Sequence, residues 1–580
     1  MSDNLPPQQP GQPGTPAGGV PPQGPPPQGP PPQGPPPGSW EHGPGQPMPP
    51  QKPQRNGKKA ALAGGGVLLT AALIGGGIVG YNLLSGETDL LEADQPSQAL
   101  PADTLAYAAV DLDPSGKQKV EAIRTLQKFP GFTDEVDVDE DDDVRKRIFE
   151  IAQEEDDTCG ELDFDKDIDS WLGERFAMAA VGNGDDVPFP VGVVQVKGEE
   201  ETRAGIDKIA ECSGEDEDFG LAFVDDEWAV LTETQKQADQ VAQGVEKGTL
   251  RDDDDFQTWT KETGEAGIIH LYAAPALGQV LLDNFEEIFG MADEFAPGGE
   301  LPGSSGSDEE IPETARKQLE SFAGAAGTVR FADGALEAEF VTNGDTAFTG
   351  VSPSDAGAEA VASLPATTAG ALGFGLGEGW IDVVIDQMEP LFAGELGMSA
   401  DDALAELEEH TGLTKDDIES LGGESIAVAV DAGIDPATFQ GMPDPAQLPI
   451  GLKIKGDTEK IESALDKLRE SGGPEVERML LSETTGDYVA VAMNEDYLDK
   501  LAGDDGLGDE DVYQDVVGGD DPKAVLFVSF DAGDNWLDNL VADMGAPEEL
   551  RENLEPLSGA GISSWLDGDV AHTLLKVTTD

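Results

Sequence analysis

The densest set of hard oxygen ligands in the chain is Asp163, Asp165, Asp167, Asp169 and Glu174. Counted from Asp163 they fall at positions 1, 3, 5, 7 and 12, the spacing by which a calcium loop wraps carboxylates around one ion. Position 6, where such a loop turns on glycine, is Ile168. The plainer role for this stretch is structural: Asp167 caps a short helix, and a Leu-Gly turn then leads into a strand. A second ladder, Asp137, Asp139, Asp141 and Asp143, has Ile148 at position 12 and reads, like Asp252 to Asp255, as a solvated acidic loop. Calcium is the one cofactor these residues would take, and no other cofactor is expected. The two cysteines, Cys159 and Cys212, are 53 residues apart and are expected to pair as a disulfide in an oxidising compartment. Closing that loop stabilises a fold by about 4 kcal/mol in the chain-entropy account.

Nucleophilic chemistry finds less support. There is no Gly-x-Ser-x-Gly elbow, and Gly303-Ser304-Ser305-Gly306 has the wrong spacing for one. No Walker A loop or His-Glu-x-x-His pair occurs. The four histidines, His42, His270, His410 and His572, are scattered. His270 lies in an apolar strand and His572 in the terminal strand pair, where histidines are ordinarily structural. Paired carboxylates of the glycosidase kind would have to come from distant segments, and among 117 acidic residues their proximity in sequence carries no information. No catalytic or cofactor-binding residue is therefore assigned, and an enzyme is not the favoured reading.

The elements that must position these residues repeat. Leu100-Pro101-Ala102 opens one half and Leu364-Pro365-Ala366 the other, each followed by an apolar run, Leu105 to Val110 and Ala371 to Leu376. Asp167-Ile168-Asp169-Ser170 with the strand Phe176 to Val181 is answered by Asp417-Ile418-Glu419-Ser420 with Ile426 to Val430. Pro190 to Gly198 is answered by Pro449 to Gly456, each followed by a helix, Glu200 to Cys212 and Thr458 to Glu470. Trp228 to Leu231 matches Tyr488 to Val491, Asp255-Phe256-Gln257 matches Val512-Tyr513-Gln514, Ile268 to Tyr272 matches Val525 to Phe530, and Ala335 to Val341 matches Thr573 to Val577. Short alternating strands interleaved with helices predict an α+β fold built as two tandem pseudo-equivalent repeats, 100–350 and 360–580.

Ahead of the repeats the composition changes twice. Residues 1–57 are a Pro-, Gly- and Gln-rich tail in which neither helix nor sheet is sustained, so a disordered, polyproline-like segment is expected. Ala60 to Gly86 then holds no charged residue. As a helix it reaches ~40 Å, against ~30 Å of hydrocarbon, so a transmembrane helix is expected over 60–84, with a juxtamembrane linker over 85–99. Lys52, Arg55, Lys58 and Lys59 precede it and Glu87, Asp89, Glu92 and Asp94 follow. Positive charge stays inside, which predicts a single-pass cell-membrane protein with a cytoplasmic N-terminus and an extracytoplasmic C-terminal body. Gly76 and Gly80 form one Gly-x-x-x-Gly pair, a face on which a homodimer is possible.

The chain carries 117 acidic and 34 basic residues, a formal net charge of −83. Such a polyanion is no ligand for nucleic acid. The Pro-rich tail, the single anchor, the Leu-Pro-Ala opening and the element Asp167-Ile168-Asp169-Ser170-Trp171-Leu172-Gly173-Glu174-Arg175 together resemble an actinobacterial membrane-anchored family classed as a domain of unknown function. The resemblance implies the architecture and location already read, and no activity. The expected role is non-catalytic: an acidic domain that binds or scaffolds an unknown partner at the cell envelope, with the lipid bilayer engaged through the transmembrane helix. Two alternatives are an envelope hydrolase using carboxylates and a carrier of an apolar or lipid ligand, which would need a greasy cavity.

Overall fold

The computed structural model describes residues 95–580 except 113–115, 136–142, 156–158, 161, 185, 214–218, 285–312, 345–353, 392–397, 435–446, 504–505, 520, 534–535 and 544. The expected tail over 1–57, the apolar segment 60–84 with its Gly76 and Gly80, and most of the linker over 85–99 lie outside the described residues. The described part of that linker is not a spacer: Pro96–Ala99 form a 3-10 turn, with Ala99 and Leu100 fully buried.

The first eight strands are β1 (Thr104–Asp111), β2 (Leu172–Asn183), β3 (Asp186–Val196), β4 (Gly220–Val224), β5 (Trp228–Thr232), β6 (Ile269–Ala273), β7 (Ala325–Ala332) and β8 (Ala335–Asn343). The next eight are β9 (Thr368–Gly375), β10 (Ser425–Asp431), β11 (Ile450–Lys455), β12 (Leu481–Thr485), β13 (Tyr488–Ala492), β14 (Ala524–Ser529), β15 (Leu557–Asp567) and β16 (Val570–Thr579). Among the described residues all sixteen join in one sheet, in the order β12-β13-β11-β10-β9-β14-β15-β16-β8-β7-β6-β1-β2-β3-β5-β4. Its neighbours are antiparallel throughout. The chain is thus mixed helix and strand around a large antiparallel sheet, an α+β fold.

Among the first strands run α1 (Gly116–Leu126), α2 (Pro130–Glu135), α3 (Val144–Glu155), α4 (Glu199–Ser213), α5 (Gln235–Val245), α6 (Asp254–Glu262), α7 (Ala276–Asp283) and α8 (Glu313–Ser321). Among the later ones run α9 (Gly357–Ala362), α10 (Trp380–Leu391), α11 (Ala400–Thr411), α12 (Lys415–Gly422), α13 (Thr458–Met479), α14 (Glu495–Leu501), α15 (Asp511–Val516), α16 (Trp536–Asp543) and α17 (Glu548–Leu554).

Two cores form on one face of the sheet. Tyr107, Ala177, Ala179, Val191, Val193, Trp228 and Val230 meet Val241 of α5 and Phe256 and Trp259 of α6. Ala371, Ala427, Ala429, Ala490, Val525 and Phe527 meet Val361 of α9, Leu498 and Leu501 of α14, and Tyr513 and Val516 of α15. Small strand residues let these helices sit close. At Gly373 an added Cβ would come within 2.4 Å of Val361 Cγ2, so β9 needs glycine where α9 crosses it.

The described helices are short or bear charge along their length. The longest, α13, has 22 residues, contains Lys, Arg, Asp and Glu, and bends at Gly473 with φ 71° ahead of Pro474. Among the described residues no helix is long and apolar enough to cross a membrane. That finding overturns the expected single-pass membrane protein with a cytoplasmic N-terminus and an extracytoplasmic body, an expectation that rested on 60–84, outside the described residues.

Candidate functional site

The sheet's second face differs from the first across its middle. One row of cross-strand partners runs Val428, Leu372, Leu526, Ile562, Leu575, Ala338, Val329, Ile269 and Val110, from β10 to β1. Side chains two positions on from these share their face. They include Ile426 and Val430, Phe374, Val528, Val577, Phe340, Phe331, Leu271 and Ala108, and no charged residue stands in that band. At ordinary strand spacing the nine strands make a floor about 38 Å wide and roughly 500 Å² in area.

This floor is open. Phe340 is 45% exposed, Val428 and Leu526 40%, Leu372 38% and Leu575 37%. Only Leu407 and Leu550, on helices, join them as exposed large hydrophobics among the described residues. The open part, six strands or about 24 Å wide and roughly 300 Å², is in the range at which apolar patches on monomeric proteins are often contact sites.

Helices stand around the floor. At one strand end Ala122, Ile123 and Leu126 of α1 pack on Phe331 beside Leu336 and Ile269. There α2 is tied to α17 by the Gly131 N–H, which donates to Asn553 Oδ1 at 2.8 Å. At the other end α8 meets both α7 and α10, and α10 packs beside α12. The two sides are closed by α13, whose Ile461 and Leu465 cover Ile454, Val489 and Val491, and by α4 with the turn at Phe164–Ile168, covering Phe176, Val194 and Val196.

On the helix-covered face the same central strands carry charge. Arg330 Nε lies 2.8 Å from Glu337 Oε2, and Arg330 Nη2 2.8 Å from Glu339 Oε2. The third guanidinium nitrogen donates to the Thr263 carbonyl at 3.0 Å. Lys576 Nζ reaches Glu337 at 3.2 Å, and His572 Nδ1 lies 3.2 Å from Glu339 Oε1. The His572 ring stacks on Trp565 with centroids 4.9 Å apart. Burial works to raise the Glu339 carboxyl, yet hydrogen bonds with His572 and Arg330 hold it below its usual range. Between the two cores Arg330, Glu337, Glu339 and Lys576 pair with one another, while His572 Nε2 is buried without a hydrogen-bond partner. Nearby His270 is buried, and burial pushes its pKa down to about 4 against the pull of Asp111.

The calcium-like ladder does not converge. Asp163, not Asp167, caps the short π-helical turn Phe164–Ile168, accepting from the Lys166 N–H. Each carboxylate of the Asp ladder has its own cation: Asp163 with Lys166, Asp165 with Lys146, Asp167 with Lys208, Asp169 with Lys197 and Arg145. Hydrogen bonds from Lys166, Lys208 and Lys197 hold Asp163, Asp167 and Asp169 below the usual carboxylate range. Glu174 instead donates its backbone N–H to Gln195 Oε1. Among the described residues no group of three or more His, Cys, Asp or Glu is placed to hold a metal ion. Asp252 to Asp255 are not a plain loop: Asp253 caps α6, accepting from the Asp255 and Phe256 N–H groups. Asp143 pairs with Arg145, whereas Asp137, Asp139 and Asp141, His42 and Gly303 to Gly306 lie outside the described residues.

Cys159 and Cys212 are joined in a disulfide, Cα atoms 5.3 Å apart. It ties the approach to the Phe164–Ile168 turn to the end of α4, both on the floor's flank. His410 is exposed on α11, its Nδ1 2.8 Å from the Glu406 carbonyl. Neither the floor nor the Arg330 group was legible as a site in the sequence. The available signal was the rarity of charge on both faces of Ala371 to Leu376 and Val525 to Phe530 in so acidic a chain. No family model, curated protein or solved structure matches this chain, and the family resemblance rests on the residues quoted for it.

Proposed function

We propose that this protein is a non-catalytic binding body whose contact surface is the uncharged floor of the sheet. The observation that carries the reading is the exposure of Phe340, Leu372, Val428, Leu526 and Leu575 on adjoining strands in a chain of net charge −83. Leaving apolar surface in water forfeits roughly 25 cal/mol per Å² that a partner would recover. Glu339, the carboxylate beside His572, is occupied in an ion pair with Arg330 on the opposite face, which favours binding over hydrolysis.

We also infer that the body is two tandem repeats, 100–350 and 360–580. Read outward from the β8–β16 junction, both strand sets follow one order. Leu250 N–H donates to Leu100 O at 2.8 Å and Leu507 N–H to Leu364 O at 2.6 Å. Asp167 takes the Asp163 N–H and pairs with Lys208 of α4; Asp417 takes the Thr414 N–H and pairs with Lys467 of α13. The floor then straddles both repeats.

Nile red, a neutral polarity-sensitive dye, tests the binding surface. The full chain is expected to bind it saturably with enhanced, blue-shifted emission. The pair Leu372→Glu and Leu526→Glu is expected to weaken binding about tenfold or more, since each buries charge against an apolar ligand, with the urea midpoint unchanged. Undiminished binding by that variant would sink the reading.

A further inference from the structure

The geometry points to the hydrocarbon chain of a neutral acyl lipid as the occupant of this floor; the inference rests on the floor being a binding surface. Three observations select that chemistry. The first is the floor itself: Val428, Leu372, Leu526, Leu575 and Phe340 lie in a band without one charged side chain, so whatever lies flat on it must be apolar along its length.

The second is the surrounding helices. A helix is about 10 Å thick, and α1 at one strand end and α4 and α13 at the two sides all pack on the floor's own face. The flat face of a second copy cannot descend past helices of that height on both sides, whereas an extended alkyl chain can. The open stretch from β10 to β8, about 24 Å across, accommodates such a chain along the strand-to-strand direction.

The third is charge. Two copies would bring together two bodies of −83 each, and an anionic headgroup at the rim would meet the same field. A lipid with no net headgroup charge pays neither cost. Headgroup selection by repulsion also predicts that salt erases the preference, because screening shortens the reach of the field to about 8 Å at physiological ionic strength.

The test uses the full chain and phosphatidylcholine vesicles loaded with self-quenching pyrene-labelled diacylglycerol or, separately, pyrene-labelled phosphatidylglycerol. Extraction of the neutral probe relieves quenching. The expected result is extraction of diacylglycerol at least about tenfold faster than of phosphatidylglycerol at low salt, with the gap closing as salt is raised. Leu526→Glu is expected to abolish extraction, and Leu407→Glu, on a side chain 39% exposed on α11, to leave it intact. If the wild-type chain binds Nile red but extracts neither lipid, the acyl-lipid inference falls while the binding surface stands; if it binds neither, both fall. Equal extraction of both lipids at low salt overturns the charge selection. A wild-type dimer by light scattering that Leu526→Glu dissociates overturns the inference in favour of a second copy of this chain.

Discussion

The two faces of the central strands invert the usual arrangement. Under the helices, β7, β8 and β16 bury Glu337, Glu339 and His572 beside the half-buried Arg330 and Lys576; on the open side β8, β9, β10, β14 and β16 expose Phe340, Leu372, Val428, Leu526 and Leu575. Burying charge is costly unless it is paired, and exposing hydrocarbon forfeits stabilisation. The difference teaches that the two surfaces meet different demands. The covered side joins two apolar cores through paired ions, and the open side leaves apolar surface in water, the surface proposed above for binding.

The comparison is broken most forcefully at Arg330. Arg330→Ala leaves Glu337 and Glu339 buried beside each other without their shared cation, and a loss of about 3–5 kcal/mol is expected in urea unfolding. A loss below about 1 kcal/mol would mean the ions are effectively solvated and the inversion is not real.

Next in size is a pH effect from His270, on the same covered face. An unfolded histidine protonates near 6.5, whereas buried His270 does so only near 4. Between those values the unfolded chain binds the extra proton, so stability falls as pH falls, by on the order of 3 kcal/mol once pH 4 is reached. His270→Leu is expected to flatten that part of the stability–pH curve, measured by thermal melts across the window. An unchanged slope would assign the pH dependence elsewhere.

The wall of the floor gives a smaller effect. Burial would raise the Asp417 carboxyl, but hydrogen bonds from Lys467 and Thr414 hold it at about 2, below its ordinary 3.8. That contribution is present above about 4 and is lost as pH falls through 2. Asp417→Asn removes it and weakens the cap of α12, by about 1 kcal/mol at neutral pH. NMR titration of the Asp417 carboxyl carbon checks the depressed value.

The smallest stability change belongs to the open side. Leu526→Glu alters an exposed position and is expected to shift unfolding by less than about 0.5 kcal/mol, while removing dye and lipid binding. A large destabilisation there would show that the floor is part of the core, and would erase the contrast with Arg330.

Much of the strand framework was legible because period-two patterns and turn residues are local. Leu105 to Val110, Phe176 to Val181, Trp228 to Leu231, Tyr488 to Val491 and Ala335 to Val341 all lie within strands. The role of the Asp163 to Asp169 ladder was not legible because its partners are distant: Lys146, Lys197 and Lys208 come from α3, the end of β3 and α4, and each pairs with a separate carboxylate. The floor was hidden for a related reason. A strand apolar on both faces reads as buried on both, and only the placement of helices decides which face stays open. For Leu372 and Leu526 that placement is set by α9, α14 and α15, packed on the other side.

The pairing of β8 with β16 has a consequence for solubility. Either strand alone would present unsatisfied amide and carbonyl groups along a row of nine paired positions, an invitation to end-to-end polymerisation. Zipped together they retire that hazard, and among the described strands the bare margins are the short outermost ones, β4 and β12. A proteolytic cut that let the two strand sets drift apart would therefore yield fibre-forming fragments rather than two well-behaved small proteins.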